Sequence, residues 1–348
     1  MNNTQLKRRT FVSVTALSVL TVAAPVLRAQ PQLEKTRISI SVGGKAVFYY
    51  LPLTIAEQLG YFDSEGLKVE INDWVDGARA LQAVVDGSAD VVSGAYEHTI
   101  NLQSRGQDFQ AFVMQGRAPA IALGISPKTI PNYSSVADLK GKRIGISGIG
   151  SSTHMVVKLI LARAGIKEDE VNFIGVGTTV GALTAFRTSQ IDALCGVDPV
   201  VTLLEQKGEI RIIADTRTLK GSMTVFGGTM PAGCLYAPLD FVKKNPNTVQ
   251  ALTNAIVHSL KWLQTAGPGD IIKTVPESYL LGDRALYLAA FNKMREAIAT
   301  DGLLSAEGPR TAVRVLASFD PAIKLDKINL GKTYTNEFAK KAKERFKA

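Results

Sequence analysis

The sequence predicts an α/β protein of two lobes that are joined by two hinge crossings. Strand, turn and helix patterns alternate along the chain, which is typical of α/β units. One apolar strand enters the second unit and another leaves it, and the length of 348 residues suits two domains. Apolar residues make up 46% and charged residues 20% of the chain, which excludes disordered and collagen-like classes.

The first 29 residues predict an export signal. A basic segment with Arg8 and Arg9 precedes Phe11 and a short apolar run, and a small residue, Ala29, stands at the expected cleavage point. The paired arginines are typical of a twin-arginine signal, so we expect a cleaved signal and a periplasmic mature protein. An uncleaved membrane anchor is the alternative, because the apolar run reaches the lower limit for spanning a bilayer.

The first lobe is predicted to contain residues 36–124 and 236–348. Its strands show apolar alternation or short apolar runs, and its first helices end at glycine. The predicted strands are Arg37–Val42, Leu67–Ile71, Ala89–Ser93 and Phe109–Met114. The predicted helices are Val47–Leu59, Gly77–Val85 and His98–Ser104, followed after the second lobe by Thr248–Leu263, Asp283–Ala299 and Asn336–Arg345.

The second lobe is predicted to contain residues 125–235. The chain enters it through the strand Ala120–Ile125 and leaves it through the strand Cys234–Ala237. Between them we predict the strands Lys142–Ile146, Val171–Val176 and Ile191–Val197, with helices at Ser152–Ala164 and through Leu183–Phe186. Strands that alternate with helices predict parallel sheets with both faces covered.

The net charge and the histidine and cysteine content restrict the kinds of ligand that the protein is expected to bind. Four of the 40 basic residues and none of the 31 acidic residues lie in the first 29 positions, so the net charge of +9 becomes +5 in the mature chain. A mild charge of this kind does not indicate a nucleic-acid groove but suits a small anion. The three histidines and two cysteines lack metal-ligand spacing, so we predict no metal and no cofactor. Cys195 and Cys234 could pair, but two buried thiols are the preferred interpretation.

A hydroxyl-rich helix start, Ser151, Ser152 and Thr153, is the first candidate binding segment. Free N–H groups and the positive end of the helix dipole predict a site for a carboxylate, sulfonate or phosphate. The alternative is that one serine only caps the helix. A dinucleotide fingerprint is incomplete because Thr153 replaces its third glycine. Ser152, His154 and Asp198 are the residue types of a catalytic triad, but the sequence lacks the G-x-S-x-G turn that positions the serine in hydrolases. We therefore predict no catalytic residue.

The first lobe offers a second candidate segment at the ends of its strands. Gly94 and Tyr96 follow the third predicted strand, and Lys45, Phe48 and Tyr49 follow the first. In open α/β sheets, ligands bind at the carboxyl ends of the strands. Tyr96 with Phe48 or Tyr49 could therefore close over an apolar ligand body, although Phe48 could equally be a core residue. Lys45 is a candidate counter-charge or an ordinary surface lysine.

Several segments together resemble the nitrate/sulfonate/taurine-type substrate-binding proteins of ABC importers. The resemblance extends over residues 37–260. The matching segments are Leu51–Phe62, Glu65–Glu70, Gly87–Val91, Leu139–Gly145, Gly150–Ser152, Ile191–Ala193 and Asp198-Pro199.

This resemblance implies a type II periplasmic-binding-protein fold, whose two lobes close on a ligand. It implies a small organic anion such as a sulfonate, a taurine-like compound or an aromatic acid, which is delivered to a permease and an ATPase in the inner membrane. It also implies no catalysis, and we expect a monomer. Asp198 would either contact the ligand or cap the next helix. An exported enzyme of pyrimidine or organosulfur metabolism and a ligand-sensing protein for a membrane receptor are the alternatives.

Overall fold

A computed structural model describes Met1 and residues 32–348 of the chain. The predicted export signal, apart from Met1, lies outside the described residues. Residues Leu33–Ala348 form one compact unit, to which the following description is confined. Among the described helices, none combines the length and apolar character that a bilayer span requires.

Ten strands form two five-stranded sheets. The strands are β1 Arg37–Gly43, β2 Lys68–Trp74, β3 Val91–Ala95, β4 Phe109–Met114, β5 Ile121–Ile125, β6 Arg143–Ile146, β7 Asn172–Gly175, β8 Ala193–Val197, β9 Arg211–Asp215 and β10 Gly233–Pro238. The first sheet has the order β2-β1-β3-β10-β4, and the second has the order β7-β6-β8-β5-β9.

The helices pack on the sheets and also form the segment that follows β10. They are α1 Leu51–Gln58, α2 Tyr61–Ser64, α3 Gly77–Val85, α4 Glu97–Ser104, α5 Ser152–Arg163, α6 Val180–Arg187, α7 Val200–Gln206, α8 Leu219–Phe226, α9 Leu239–Lys244, α10 Pro246–Thr265, α11 Pro268–Thr274, α12 Arg284–Met294, α13 Gly308–Ala317, α14 Leu330–Thr333 and α15 Glu337–Phe346. Short 3₁₀ turns lie at Phe48–Tyr50, Val136–Leu139, Glu168–Glu170, Glu277–Leu280 and Arg295–Ala297.

Both sheets are mixed, so the prediction of parallel sheets was wrong. Strand β10 runs antiparallel to β3 and β4, and β5 runs antiparallel to β8 and β9. Each of these two strands is the first after a chain crossing between the sheets. Its first residue pairs with the carboxyl end of a neighbour, as Gly233 does with Ala95 and Ile121 with Val197. Each strand therefore enters from the edge at which the parallel strands finish.

The two crossings run side by side between the lobes. The N–H of Gly116 donates to the carbonyl of Gly233 at 3.0 Å, and the N–H of Ala232 donates back to Gly116 at 3.2 Å. Closer to the second sheet, Thr216 donates to Ile121 at 2.8 Å. The predicted fold of two α/β lobes with two hinge crossings is confirmed.

Two predicted helices are shorter than expected. The segment predicted as Val47–Leu59 begins with a 3₁₀ turn, and α1 starts only at Leu51. Pro52 occupies its first turn, where the missing N–H has no helical partner to lose. The segment predicted as Asp283–Ala299 ends its α-helix at Met294 and continues as a 3₁₀ turn.

The C-terminal segment contacts both lobes, whereas the sequence interpretation assigned it to the first alone. Helix α10 packs against α1 and α15 on the first sheet's side. In contrast, Lys293 of α12 donates to Glu205 of α7 at 2.6 Å, and Leu281 packs against the second lobe's apolar cluster. Helix α12 therefore adds a contact between the lobes beside the two crossings.

Candidate ligand-binding cleft

A cleft lies between the two lobes, where the carboxyl ends of the parallel strands face each other. Its empty volume, counted out into open solvent at the mouth, is about 380 Å³, but the centre of a water-sized sphere can occupy only about 30 Å³ of it. The lining residues come from both lobes and are Gly43, Val47, Tyr49, Tyr50, Gly77, His98, Ile121, Ser147, Ser151, Ser152, Thr153, Thr178 and Val197. Of the residues predicted for the site, Tyr49, Ser151, Ser152 and Thr153 are therefore brought together.

Glycines allow the lobes to approach closely across this cleft. A Cβ added to Gly148 of the second lobe would lie 2.5 Å from the carboxyl carbon of Asp76 in the first. A Cβ on Gly44 of the first lobe would lie 2.2 Å from Thr178 Oγ1 of the second. These spacings leave no room for a side chain, so the described conformation is a closed one.

The start of α5 is organised mainly by its own hydroxyls. Ser151 Oγ accepts from the N–H of His154 and donates to the carbonyl of Gly148 at 2.7 Å. Thr153 Oγ1 accepts from the N–H of Ser147 at 2.9 Å. The capping interpretation therefore describes Ser151, and Thr153 braces the preceding loop. Ser152 is the hydroxyl that lies near the opposite wall.

Two tyrosines and a histidine of the first lobe form that opposite wall. The rings of Tyr49 and Tyr50 meet edge to face at 4.9 Å. His98 is buried, and its Nδ1 lies 2.9 Å from the hydroxyl of Tyr236. Burial lowers the pKa of His98 to about 4, so its ring is neutral at physiological pH. Among the described residues, neither Tyr49 Oη nor His98 Nε2 has a hydrogen-bond partner.

Glu97, the first residue of α4, is a buried carboxylate beside this wall. It is 2% exposed, and Oε1 has no hydrogen-bond partner among the described residues. Burial raises the pKa of Glu97 to about 6, and the nearby Ser152 hydroxyl opposes part of that rise. The charge of Glu97 also adds to the effect of burial in raising the pKa of Tyr49. The sequence interpretation did not select Glu97 and treated His98 as a surface or capping residue, because no local pattern distinguishes their burial.

Two residues predicted for the cleft lie outside its lining and have other partners. Lys45 Nζ donates to Glu57 Oε1 at 2.6 Å, so its charge is already paired. The ring of Phe48 packs against that of Tyr287, with 4.5 Å between the centroids. The core interpretation of Phe48 therefore describes the structure.

Tyr96 and Gly94 also lie outside the cavity lining. The hydroxyl of Tyr96 is 2.6 Å from Oγ1 of Thr333, the last residue of α14, and both side chains are buried. Gly94 makes room for a different tyrosine: an added Cβ would lie 3.0 Å from the ring of Tyr236. Both residues support the cleft wall from behind.

The Tyr96→Phe variant tests this placement. We expect a loss of about 1 kcal/mol in the free energy of unfolding, since one buried hydrogen bond to Thr333 is removed. Ligand affinity should stay unchanged, because the Tyr96 hydroxyl is directed away from the cleft. Chemical unfolding and binding calorimetry measure the two quantities. A large loss of affinity at wild-type stability would place Tyr96 in the site.

Asp198 belongs to a buried charge cluster at the hinge side of α7. Its Oδ1 accepts from the N–H of Thr202 at 2.8 Å, as the capping interpretation expects, and lies 3.6 Å from Arg217 Nη1. Arg217 has a fully buried side chain and also binds Asp215 at 2.6 Å and Glu205 at 3.0 Å. Burial alone would lower the pKa of Arg217, but these carboxylates raise it. Asp198 does not line the cavity.

The burial of the two cysteines and the placement of potential metal ligands restrict the chemistry available to the described part of the chain. Cys195 and Cys234 are free, buried thiols in different sheets, as preferred from the sequence. Burial raises the pKa of both thiols, which opposes the nucleophilic thiolate form. Among the described residues, no group of three or more His, Cys, Asp or Glu side chains could hold a metal ion.

Comparison with known proteins identifies the family. The family model described as NMT1/THI5 like matches residues 47–266, which is more than half of the chain. The chain belongs to the NMT1/THI5-like family. A solved structure from Bordetella bronchiseptica RB50 is 55% identical to this family member, covers 91% of it and 100% of the other chain, and superposes with a TM-score of 0.90.

Other relatives of this NMT1/THI5-like protein are more distant. A protein from Brucella abortus (strain 2308) that is named as a binding protein is 26% identical over 80% of this chain and 81% of its own length. The alkanesulfonate-binding protein SsuA from Xanthomonas axonopodis pv. citri, solved with MOPS bound, has a TM-score of 0.65 at 19% identity and covers 88% of this chain and 100% of its own. The predicted resemblance and fold are therefore confirmed.

Further relatives of the NMT1/THI5-like protein carry the name of an enzyme. The 4-amino-5-hydroxymethyl-2-methylpyrimidine phosphate synthase of Uromyces fabae is 26% identical over 63% of this chain and 64% of its own length.

Proposed function

We propose that this NMT1/THI5-like protein is the periplasmic solute-binding receptor of an ABC importer. The observation that carries the proposal is the closed cleft between two lobes, which contains buried polar groups without partners. Such groups cost free energy unless a ligand pairs with them. The binding names of its relatives and the periplasmic fold of its neighbours support the same function.

The more specific parts of this proposal concern the export route, the transporter partners, the lobe boundaries and the ligand class. The signal of residues 1–29 directs the chain through the twin-arginine route, and the mature monomer presents its ligand to a permease and an ATPase. We propose that the first lobe contains residues 36–120 with 233–348 and the second lobe residues 121–232, because β5 belongs to the second sheet and β10 to the first, with α12 contacting both lobes. The ligand is a small organic solute. An organic anion is the class that the helix start at Ser151–Thr153 favours.

The enzyme alternative rests on the name of the Uromyces fabae relative. Among the described residues that line the cleft, no serine or threonine hydroxyl is hydrogen-bonded to a histidine ring: the His98 ring contacts Tyr236, and the Ser151 hydroxyl caps α5. The binding proteins among the relatives favour a non-enzymatic role.

Ligand-induced stabilisation tests the receptor function. Purified mature protein is melted with sulfonates, taurine, carboxylates, nitrate, amides, amines and pyrimidines. A ligand at 100 times its dissociation constant should add about 2.7 kcal/mol, a shift of several degrees. Mass spectrometry of denatured protein detects any solute that co-purifies. A flat panel together with empty protein would contradict a receptor role.

Replacing Ser152 by leucine tests the site. Ser152 lines the cleft from the second lobe, so a bulky apolar side chain should fill it and abolish the shift produced by the ligand. The melting temperature without ligand should change little, because Ser152 is the first residue of α5 and lies at a surface of the lobe. Ser88→Leu, at an exposed turn, is the matched control. Equal ligand shifts in both variants would exclude this cleft.

A further inference from the structure

We propose that the protein has a second ligand site, which binds a small oxyanion, a phosphate or a dicarboxylate, at the hinge between the lobes. The site is a cavity beside the first chain crossing, with Arg117, Lys293 and Arg295 in its wall, and is called the hinge cavity below. It shares no lining residue with the interlobe cleft. The inference therefore goes beyond the proposed receptor function and does not depend on it.

The hinge cavity has room for a solute in the closed conformation. The centre of a water-sized sphere can occupy about 480 Å³ of it, counted out to the mouth, against about 30 Å³ in the interlobe cleft. Its walls come from the first crossing, the ends of α10 and α12, the 3₁₀ turn after α12 and the residue before α8. Elements that are distant in the sequence thus enclose a space that no side chain of the described residues fills.

Positive charge dominates the wall of the hinge cavity. The described residues that line it include three cations, Arg117, Lys293 and Arg295, and one carboxylate, Glu296. Lys293 is paired with Glu205 at 2.6 Å. Neither arginine forms an ion pair with any carboxylate in the described part of the chain, since their hydrogen bonds go to backbone carbonyls. Two guanidinium charges in one cavity therefore lack a counter-charge.

The main chain holds Arg117 in place without neutralising it. Its N–H donates to the carbonyl of Ala297 at 2.8 Å, and its Nε donates to the carbonyl of Glu296 at 2.8 Å. The carboxylate of Glu296 has a different partner, because its Oε1 accepts from the N–H of Leu219 at 2.8 Å. The two terminal nitrogens of Arg117 have no acceptor among the described residues, and they form the paired donors that suit an oxyanion.

Arg295 is fixed in a similar way on the other side of the hinge cavity. Its Nη2 donates to the carbonyls of Leu263 and Gln264 at the end of α10, both at 2.9 Å. The guanidinium also lies 5.4 Å from the centre of the Phe291 ring. Neutral carbonyls and a ring orient the group while its charge remains available. Orienting the arginines in advance lowers the entropy that an anion loses when it binds.

Thr218 adds an uncharged donor from the second lobe. Its Oγ1 accepts from the N–H of Gly221 at 3.0 Å, which leaves the hydroxyl hydrogen free to donate into the cavity. Thr218 precedes α8 of the second lobe, whereas Arg295 contacts α10 on the first lobe's side. An oxyanion held by both residues adds a contact across the hinge, beside the ion pair of Lys293 and Glu205.

Calorimetry with inorganic phosphate and with malonate tests the hinge cavity. Both titrations are run at one ionic strength, set with sodium chloride, because salt screens exposed charges. Calorimetry is preferred to melting, since phosphate stabilises many proteins without occupying a site. We expect saturable binding of one ion per molecule. Phosphate that binds more tightly than malonate indicates a phosphoryl ligand, and the reverse order indicates a dicarboxylate.

Three variants locate the bound ion. Arg117→Gln should weaken it by about tenfold or more, because charge-assisted hydrogen bonds are lost. Arg117→Lys keeps the charge but not the paired donors, so an intermediate affinity is expected. Arg310→Gln, an exposed arginine on α13 outside the cavity, is the matched control and should bind as the wild type does. Ser152→Leu fills the interlobe cleft and should leave binding of the oxyanion unchanged.

Three results would overturn the hinge site. One is the absence of saturable binding by both ions, and another is binding that neither Arg117 variant weakens. The third is binding that Ser152→Leu abolishes, because the ion would then occupy the interlobe cleft. That outcome would support the receptor function, so the two proposals fail separately. The measurements on the wild type and on Ser152→Leu do not depend on whether the Arg117 variants fold.

Discussion

Replacement of Gly148 by alanine should weaken ligand binding by about ten- to hundredfold while the unliganded protein stays folded. The added Cβ would lie 2.5 Å from the carboxyl group of Asp76 in the opposite lobe. Asp76 cannot move away freely, because its Oδ1 accepts from the N–H groups of Ala78 and Arg79 and caps α3. Overpacking of this kind costs about 1–3 kcal/mol, and about 1.4 kcal/mol corresponds to a factor of ten in affinity.

The cost arises only when the lobes close, so the melting temperature without ligand should remain near that of the wild type. Gly175→Ala is the matched control on the same side of the cleft, since its added Cβ would meet nothing nearer than 3.8 Å. Calorimetry measures affinity, and small-angle scattering measures whether added ligand still compacts the molecule. Wild-type affinity in Gly148→Ala would show that ligand binding does not require this closed conformation.

Arg217→Met should lower the free energy of unfolding by about 3–5 kcal/mol, which is on the order of 10 °C in melting temperature. Arg217 has a fully buried side chain and is the cation shared by Asp198, Asp215 and Glu205. Without it, Asp198 and Asp215 lose their paired charge. Lys293 continues to neutralise Glu205 at 2.6 Å, but it belongs to α12 and cannot replace the buried guanidinium.

Arg187→Met is the control for this prediction. Arg187 forms a two-point ion pair with Glu209, but the pair is largely exposed to solvent. Exposed pairs contribute about 0–1 kcal/mol, so this variant should stay close to the wild type. Thermal and chemical unfolding measure both variants under the same conditions. Equal stability losses in the two variants would mean that the hinge cluster does not support the fold.

Much of the architecture follows from short-range patterns. The alternation in β1 and the serine before α5 predict those elements because a strand face and a helix cap are decided within a few residues. The directions of β5 and β10 were not predictable in this way. They depend on where the chain enters each sheet after a crossing, and that depends on residues far along the sequence.

In the candidate site, the difference between what the sequence predicts and what long-range contacts decide is larger. The sequence predicts that the turn after β3 and the start of α5 meet at the cleft. The start of α5 lines the cleft, whereas Gly94 and Tyr96 of that turn do not, and His98 of α4 takes their place in the lining. It does not decide that Tyr96 turns away, because that side chain's partner, Thr333, lies 237 residues further along the chain. It also does not distinguish Glu97 as a buried carboxylate from an ordinary acidic residue at a helix N-terminus.

The sequence by itself therefore determined the two α/β lobes, the succession of most strands and helices, and the family. The tertiary structure decided which side chains line the cleft, the closed approach at Gly148, the shared cation Arg217 and the burial of Glu97. The physical reason is the distance along the chain over which each interaction acts. Periodicity and capping act over a few residues, whereas burial and electrostatic fields sum over every element that packs against a group.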